Sequence, residues 1–403
     1  VSRRCLGALA ALCCSATHAL AALHAGHAPA SSILPNTLED QIKEVFDVRS
    51  YTLQTLVLPD AMNGPLTVRV RLGDRDVDIA LAPYSMRADN FAVYVDAGDG
   101  QLQRVDTPPL TTMRGDSLQD PGSYVRASLV HSGLNATLDL PDGSVWAIQQ
   151  VASEIPGVDP RMHVVYRDRE IAPPPGFRCG VEDKPAQPGE RGSALRPIGG
   201  PPPAQRNVGD RITDIAFDAD VEYYVSLGSN VAAVVNDIES IMNAVEGIYE
   251  NNTDISYEVT TVVVRTVEPD PYTSTNPGTL LNQFDSHWSG NLSSIRRDIA
   301  HLFTGKNVDG GVIGIANLSA ICSTSNGYGL SQSRYTGNLT LRRSLTAHEL
   351  GHNWSAQHCN GSGNCNIMCD CNGCGPAQGC TGTFTSFGAG EAAQIVAYRN
   401  TRT

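Results

Sequence analysis

The chain has 403 residues, 41% hydrophobic and 18% charged, with 29 Lys+Arg against 42 Asp+Glu and a formal net charge of −13. At roughly 100–200 residues per domain this length holds two domains, each able to bury its own core. The acidic balance gives no electrostatic reason to bind a polyanion, which argues against nucleic acid or an anionic membrane as a partner.

In chain order, Arg3 and Arg4 precede an apolar run from Cys5 to Cys14 that continues to Ala22. This is the pattern of a secretory signal over residues 1–22, with small residues at Thr17, Ala19 and Ala21 for cleavage. No later stretch reaches the roughly 18 apolar residues of a membrane span. Export makes the protein extracellular. It removes Cys5, Cys13 and Cys14 from the 11 cysteines and leaves the other eight in an oxidising compartment, where pairing is the default.

Residues 23–172 carry alternating runs such as Leu66–Leu72 and Val77–Leu81, with turn signals at Gly98-Asp99-Gly100 and Asp142-Gly143, and predict a β-rich, antiparallel domain. Residues 173–209 hold Pro173-Pro174-Pro175, Pro185, Pro188, Pro197 and Pro201-Pro202-Pro203, the composition of an extended linker. Residues 210–403 read as an α/β domain. The spacing there predicts a strand at Val221–Val225, a helix over Asn230–Tyr249 and a strand over Ile255–Val267. A second helix over Leu292–Phe303, a short strand at Val312–Ala316 and a last helix over Ala389–Tyr398 follow.

The chemistry lies in His348-Glu349-Leu350-Gly351-His352 and in His358, six residues further on. Residues four apart share one face of a helix, so His348 and His352 can offer two imidazoles to one cation. His358 completes three ligands and leaves the fourth position of a zinc ion open, if the chain turns back after the helix. Such a zinc brings the pKa of its water towards roughly 7, and Glu349 is placed to take the proton and pass it to a leaving amine. His131, His163, His287 and His301 are isolated and read as structural or surface groups.

These residues resemble the metzincin clan of zinc peptidases and, within it, the reprolysin-like (adamalysin-type) family. That clan's motif is His-Glu-x-x-His-x-x-Gly-x-x-His with a Met-containing turn beyond it, and Asn366-Ile367-Met368 stands ten residues after His358. The stretches Asp298–Gly305 and Gly310–Ala316, with Cys322, are similar to the family's second helix and substrate-holding edge strand. The resemblance covers roughly residues 214 to 398.

It implies an α/β metzincin-like catalytic domain: a twisted mixed sheet with helices, an irregular disulfide-braced lower part, and a β-rich prodomain ahead of it. It makes Met368 a hydrophobic floor under the metal and Gly314, Ile315 and Ala316 the edge that receives protein or peptide substrates as an added strand. Ser355 departs from the pattern, because the motif has Gly where the chain must turn left-handed, and a side chain there costs about 1–2 kcal/mol.

Cys179, in Arg178-Cys179-Gly180, is similar to the cysteine switch of reprolysin-like zymogens: a thiolate that fills zinc's fourth position and makes the propeptide an intramolecular inhibitor. A disulfide from Cys179 to the second half is the alternative. Cys359, Cys365, Cys369, Cys371, Cys374 and Cys380 crowd around the Met-containing turn, and in an oxidising compartment are expected to form disulfides rather than a zinc knuckle. The family pairs its Cys322-like position with a cysteine after the last helix, which this sequence does not show. The reading is a secreted, latent zinc metalloendopeptidase, with a calcium site left open. Its rivals are a secreted binding or adhesion protein on an inactive fold, which intact His348, Glu349, His352 and His358 oppose, and a zinc amidase acting on non-protein amides.

Overall fold

The computed structural model describes residues 37–58, 64–130, 133–182, 211–359, 366–370 and 383–402. The first part contains helix α1 (Leu38–Val45) and strands β1 (Thr52–Thr55), β2 (Leu66–Leu72), β3 (Arg75–Pro83), β4 (Arg87–Asp96) and β5 (Gln103–Val105). Strands β6 (Thr112–Ser117), β7 (Asp120–Val130), β8 (Gly133–Asp139), β9 (Val145–Gln150), β10 (Met162–Arg167) and β11 (Arg178–Cys179) follow. The second part runs β12 (Arg211–Ala219), α2 (Val221–Ser226), α3 (Val231–Thr253), β13 (Ile255–Arg265), α4 (Pro277–Asn291) and β14 (Ile299–Phe303). It ends with β15 (Val312–Ala316), β16 (Tyr328–Ser331), α5 (Leu339–Asn353) and α6 (Ala389–Arg399).

Two eight-stranded sheets result. The first, in the order β1-β10-β9-β8-β7-β6-β3-β2, is antiparallel throughout, as the alternation in residues 66–81 predicts. The second is mixed, in the order β11-β15-β16-β14-β12-β13-β4-β5. Its centre is parallel, β15 runs antiparallel to β16, and both ends are supplied by the N-terminal region. The sheet boundary therefore does not follow chain order: β4 pairs parallel with β13, and β5 lies outside it.

Two sequence expectations are corrected. Val221–Val225 is the short helix α2, not a strand; the strand is β12, just before it. The Asp220 side chain accepts from the Tyr223 N–H and starts a helix that the alternating Val-Glu-Tyr-Tyr-Val pattern conceals. Leu292–Phe303 is not a helix either. Its end is β14, buried at every residue, because a parallel strand covered on both faces is apolar without alternation. The helix precedes it as α4, with Asn276 as cap and Pro277 in the first turn, the position where a missing N–H costs nothing. Residues 298–305, compared with the family's second helix, lie mainly in that strand.

Helix α3 explains how the two sheets join. Val234, Val235, Ile238, Ile241, Met242, Val245 and Ile248 pack into the core of the second sheet, yet Glu239, Asn243 and Glu246 are buried too. Their face meets the first sheet: the Asn243 amide donates to the Met113 and Ala127 carbonyls, and Arg114 donates to Glu246 at 2.6 Å and Glu250 at 2.9 Å. Helix α5, capped by Asn338, is buried along its whole length.

Candidate metal centre

Helix α5 carries His348 and His352 one turn apart, with their Nε2 atoms 3.1 Å from each other. After the helix the backbone turns at Ser355 with φ 80°, the left-handed geometry that the motif's Gly would take without strain. The turn brings His358 back, and its Nε2 is 3.1 Å from that of His352. Each helical histidine is fixed from behind: Nδ1 of His348 donates to the Ile367 carbonyl at 2.7 Å, and Nδ1 of His352 to that of Ala356 at 2.8 Å. This leaves both Nε2 atoms facing inward.

Cys179 completes the group. Its Sγ is 3.5 Å from His352 Nε2 and 3.8 Å from Glu349 Oε2. Cys179, His348, His352 and His358 place one donor atom each within 4.8 Å of one another. Around a tetrahedral zinc, nitrogens at about 2.05 Å and a sulfur at about 2.3 Å stand about 3.3 Å (N to N) and about 3.5 Å (N to S) apart. The donor set fits that ion in chemistry and in size. Burial pushes the Cys179 thiol up, and Glu349 adds to it; burial likewise raises the Glu349 carboxyl. His352 is held well below its ordinary value by burial, then by the neighbouring imidazoles of His348 and His358.

Glu349 is fully buried, and its Oε1 has no hydrogen-bond partner among the described residues. Gly314 makes room for it, since a Cβ there would stand 2.2 Å from Oε1. Met368 lies beneath the helix with its sulfur against Gly351, where a Cβ would come within 2.6 Å of it. The sequence reading did not assign Gly351 a role. A glycine mid-helix, costing about 1 kcal/mol in helix propensity, was the available signal.

Residues 178–180 are held from two sides. Cys179 N–H donates to the Asp370 carbonyl and Gly180 N–H to that of Gly314, each at 2.8 Å, so the segment lies parallel to β15 like an added strand. Of the expected edge residues, Gly314 meets this segment directly, Ile315 packs beside Gly180, and Ala316 pairs inward with Gly329. The Asp370 backbone was not foreseen, having no side-chain signature. Cys359 and Cys369 stand side by side with their thiols hydrogen-bonded, and Cys322 has no disulfide partner among the described residues. Cys365, Cys371, Cys374 and Cys380 lie outside the described residues, as does the segment 1–22.

Residues 209–401, which contain all three histidines, Glu349 and Met368, match the reprolysin-type family model described as Metallo-peptidase family M12. The chain therefore carries a reprolysin-like metallopeptidase domain of that family.

Proposed function

We propose that the protein is a secreted, zinc-dependent endopeptidase made as a latent zymogen, hydrolysing internal peptide bonds of proteins. The observation that carries this reading is the convergence of three imidazoles and one thiol beside a buried glutamate, within a domain of a metallopeptidase family. His348, His352 and His358 are the residues that would hold the ion, with Met368 as the packed floor below them. A zinc ion there supplies Lewis acidity, polarising a carbonyl and making water nucleophilic near neutral pH.

Glu349 moves the proton: Oε1 takes it from the attacking water and returns it to the leaving nitrogen. Strand β15 offers the backbone of Gly314, Ile315 and Ala316 to an extended peptide, and Glu349 lies buried against Gly314 of that strand. Residues 178–180 use the same backbone, so Cys179 and a substrate compete for one place. Loss of the N-terminal region through a cut between about Pro185 and Asp210 is the activation step of this reading. The secretory pattern of residues 1–22 supports export.

The test compares the full chain with the protein cut in that linker. One zinc per cut chain and chelator-sensitive internal cleavage of casein are expected. Glu349→Gln should lower kcat/KM by about 10³-fold or more, whereas Cys179→Ala should raise the activity of the uncut chain towards that of the cut one. Zinc binding without peptide hydrolysis would replace the enzyme with a binding protein. A Cys179→Ala chain as latent as the parent would remove the cysteine from the latency mechanism.

A further inference from the structure

Away from the histidines, two buried arginines face one small cleft between the first sheet and the helices of the metallopeptidase domain. Arg126, on β7, is 3% exposed and Arg343, on α5, is 4% exposed. The cleft between them is lined by Thr137 and Asp139 of β8, Ala244 and Ile248 of α3, and Phe384. Arg126 is paired with Thr137 across the sheet, and Arg343 donates to the Thr137 hydroxyl, so residues from both sides of the cleft meet at that strand.

Neither group is satisfied. Nε and Nη2 of Arg126 and Nε of Arg343 are buried with no hydrogen-bond partner among the described residues. A buried guanidinium N–H left unpaired is destabilising, and an uncompensated buried charge more so. The surrounding carboxylates are already engaged. Asp139 pairs with Arg126 at 2.6 Å, Glu246 and Glu250 with Arg114, and Asp237 with Arg342. Among the described residues Arg343 has a hydroxyl and no carboxylate, and burial, with Arg126 adding, lowers its pKa to about 10. Residues 371–382, which lead into Thr383 beside the cleft, contain no Asp or Glu.

Backbone and side-chain packing hold the charges in place. Arg126 is pressed against α3 at Gly247, where a Cβ would fall 1.5 Å from its Nε, and its guanidinium stacks 3.9 Å from the Tyr124 ring centre. The cleft is narrow, with room for one body about the size of a water or a small ion.

We propose that this cleft binds one halide-sized monovalent anion, chloride in solution, held by Arg126 on the N-terminal side and Arg343 on the helix that bears the histidines. The ion supplies an acceptor for the orphan N–H groups and the missing negative charge beside Arg343. Because each side of the interface contributes one arginine, the site exists only while the two are joined, and anion binding fastens them together.

The test uses the full chain at constant ionic strength, replacing sodium gluconate stepwise by sodium chloride or sodium bromide. Both halides should raise Tm in a saturable way by about 2 °C or more, and crystals grown in bromide should show an anomalous peak between Arg126 and Arg343. Arg343→Gln should abolish the halide-specific rise, and Arg126→Lys should move the titration to higher halide concentration. Coincident gluconate and halide curves, an ordered water only at that position, or an unchanged halide response in Arg126→Lys would each overturn the proposal. The Arg126→Lys titration and the bromide peak decide the matter if Arg343→Gln does not fold.

Discussion

The N-terminal region touches the metallopeptidase domain in two very different ways. At the edge of the second sheet that borders the histidines it supplies two residues, Arg178 and Cys179, beside the five of β15. At the far edge it supplies the ten-residue β4, whose partner β13 is buried through Val262, Val263 and Val264, and Asp96 of β4 accepts from the buried Arg265 at 2.7 Å. Behind that edge, β6 and β7 close over α3 through Arg114. The near contact covers donor atoms and buries little; the far ones bury a sheet edge and a helix face. Occluding the site and holding the two parts together are thus tasks for different residues. A cut between about Pro185 and Asp210 should therefore leave an associated pair that must still come apart.

The hardest blow to that division falls on Arg114. Replacing it by Ala leaves Glu246 and Glu250 buried without their counter-charge, a loss of about 3–5 kcal/mol. In linker-cut protein the N-terminal fragment of Arg114→Ala should dissociate at least about 100-fold more readily on a sizing column, where Cys179→Ala should leave it bound. An Arg114→Ala fragment as firmly attached as the parent would show that the β4 edge alone carries the attachment.

A smaller effect comes from pH. Asp47 of the N-terminal region accepts from the Thr336 hydroxyl, and burial, opposed by that hydrogen bond and aided by Glu44, raises its pKa to about 6. For a carboxyl raised on docking, the stabilisation is complete below its ordinary value near 3.8 and is lost as pH rises through about 6. Attachment should therefore weaken by up to about 50-fold between pH 4 and pH 7. Asp47→Asn should flatten that part of the profile; a profile unchanged by the substitution would place the dependence elsewhere. Asp168, beside Thr383, is shifted in the same direction by burial.

The two kinds of contact were unequally legible in the sequence. The histidines could be read because their geometry is local: four residues on one helix, then six to a turn. Cys179 could be read from its company, Arg178 and Gly180, although the Asp370 carbonyl that anchors it has no side-chain signal. The far contact was invisible. Arg87–Asp96 lies inside the stretch that reads as β-rich, but which sheet it joins depends on β13, about 170 residues later, and on no feature of its own. A row of polar residues on α3 is the trace it left, since Glu239, Asn243 and Glu246 recur at helical spacing along one face, and their burial requires a second covering surface. The misread helix over 292–303 has the same origin: a short, fully apolar strand and a helix face carry the same residues, and only burial on both sides separates them.

The smallest expected effect tests whether the near side of the comparison is as finely built as it looks. Ser355 holds φ 80° where a side chain costs about 1–2 kcal/mol, yet its hydroxyl accepts from the Ser319 hydroxyl at 2.9 Å. Ser319 N–H in turn donates to the His352 carbonyl, so the bond ties the turn to the end of the histidine helix. Ser355→Gly relieves the strain, but it gives up that exposed hydrogen bond and adds about 0.5–1 kcal/mol of backbone freedom to the unfolded chain. These terms nearly cancel. Thermal unfolding should shift by less than about 2 °C, and zinc titration should find the His358 site intact. A large gain in Tm would mean that the serine is merely tolerated; a loss of zinc affinity would mean that the Ser319 bond, and not the backbone angle, positions the third imidazole.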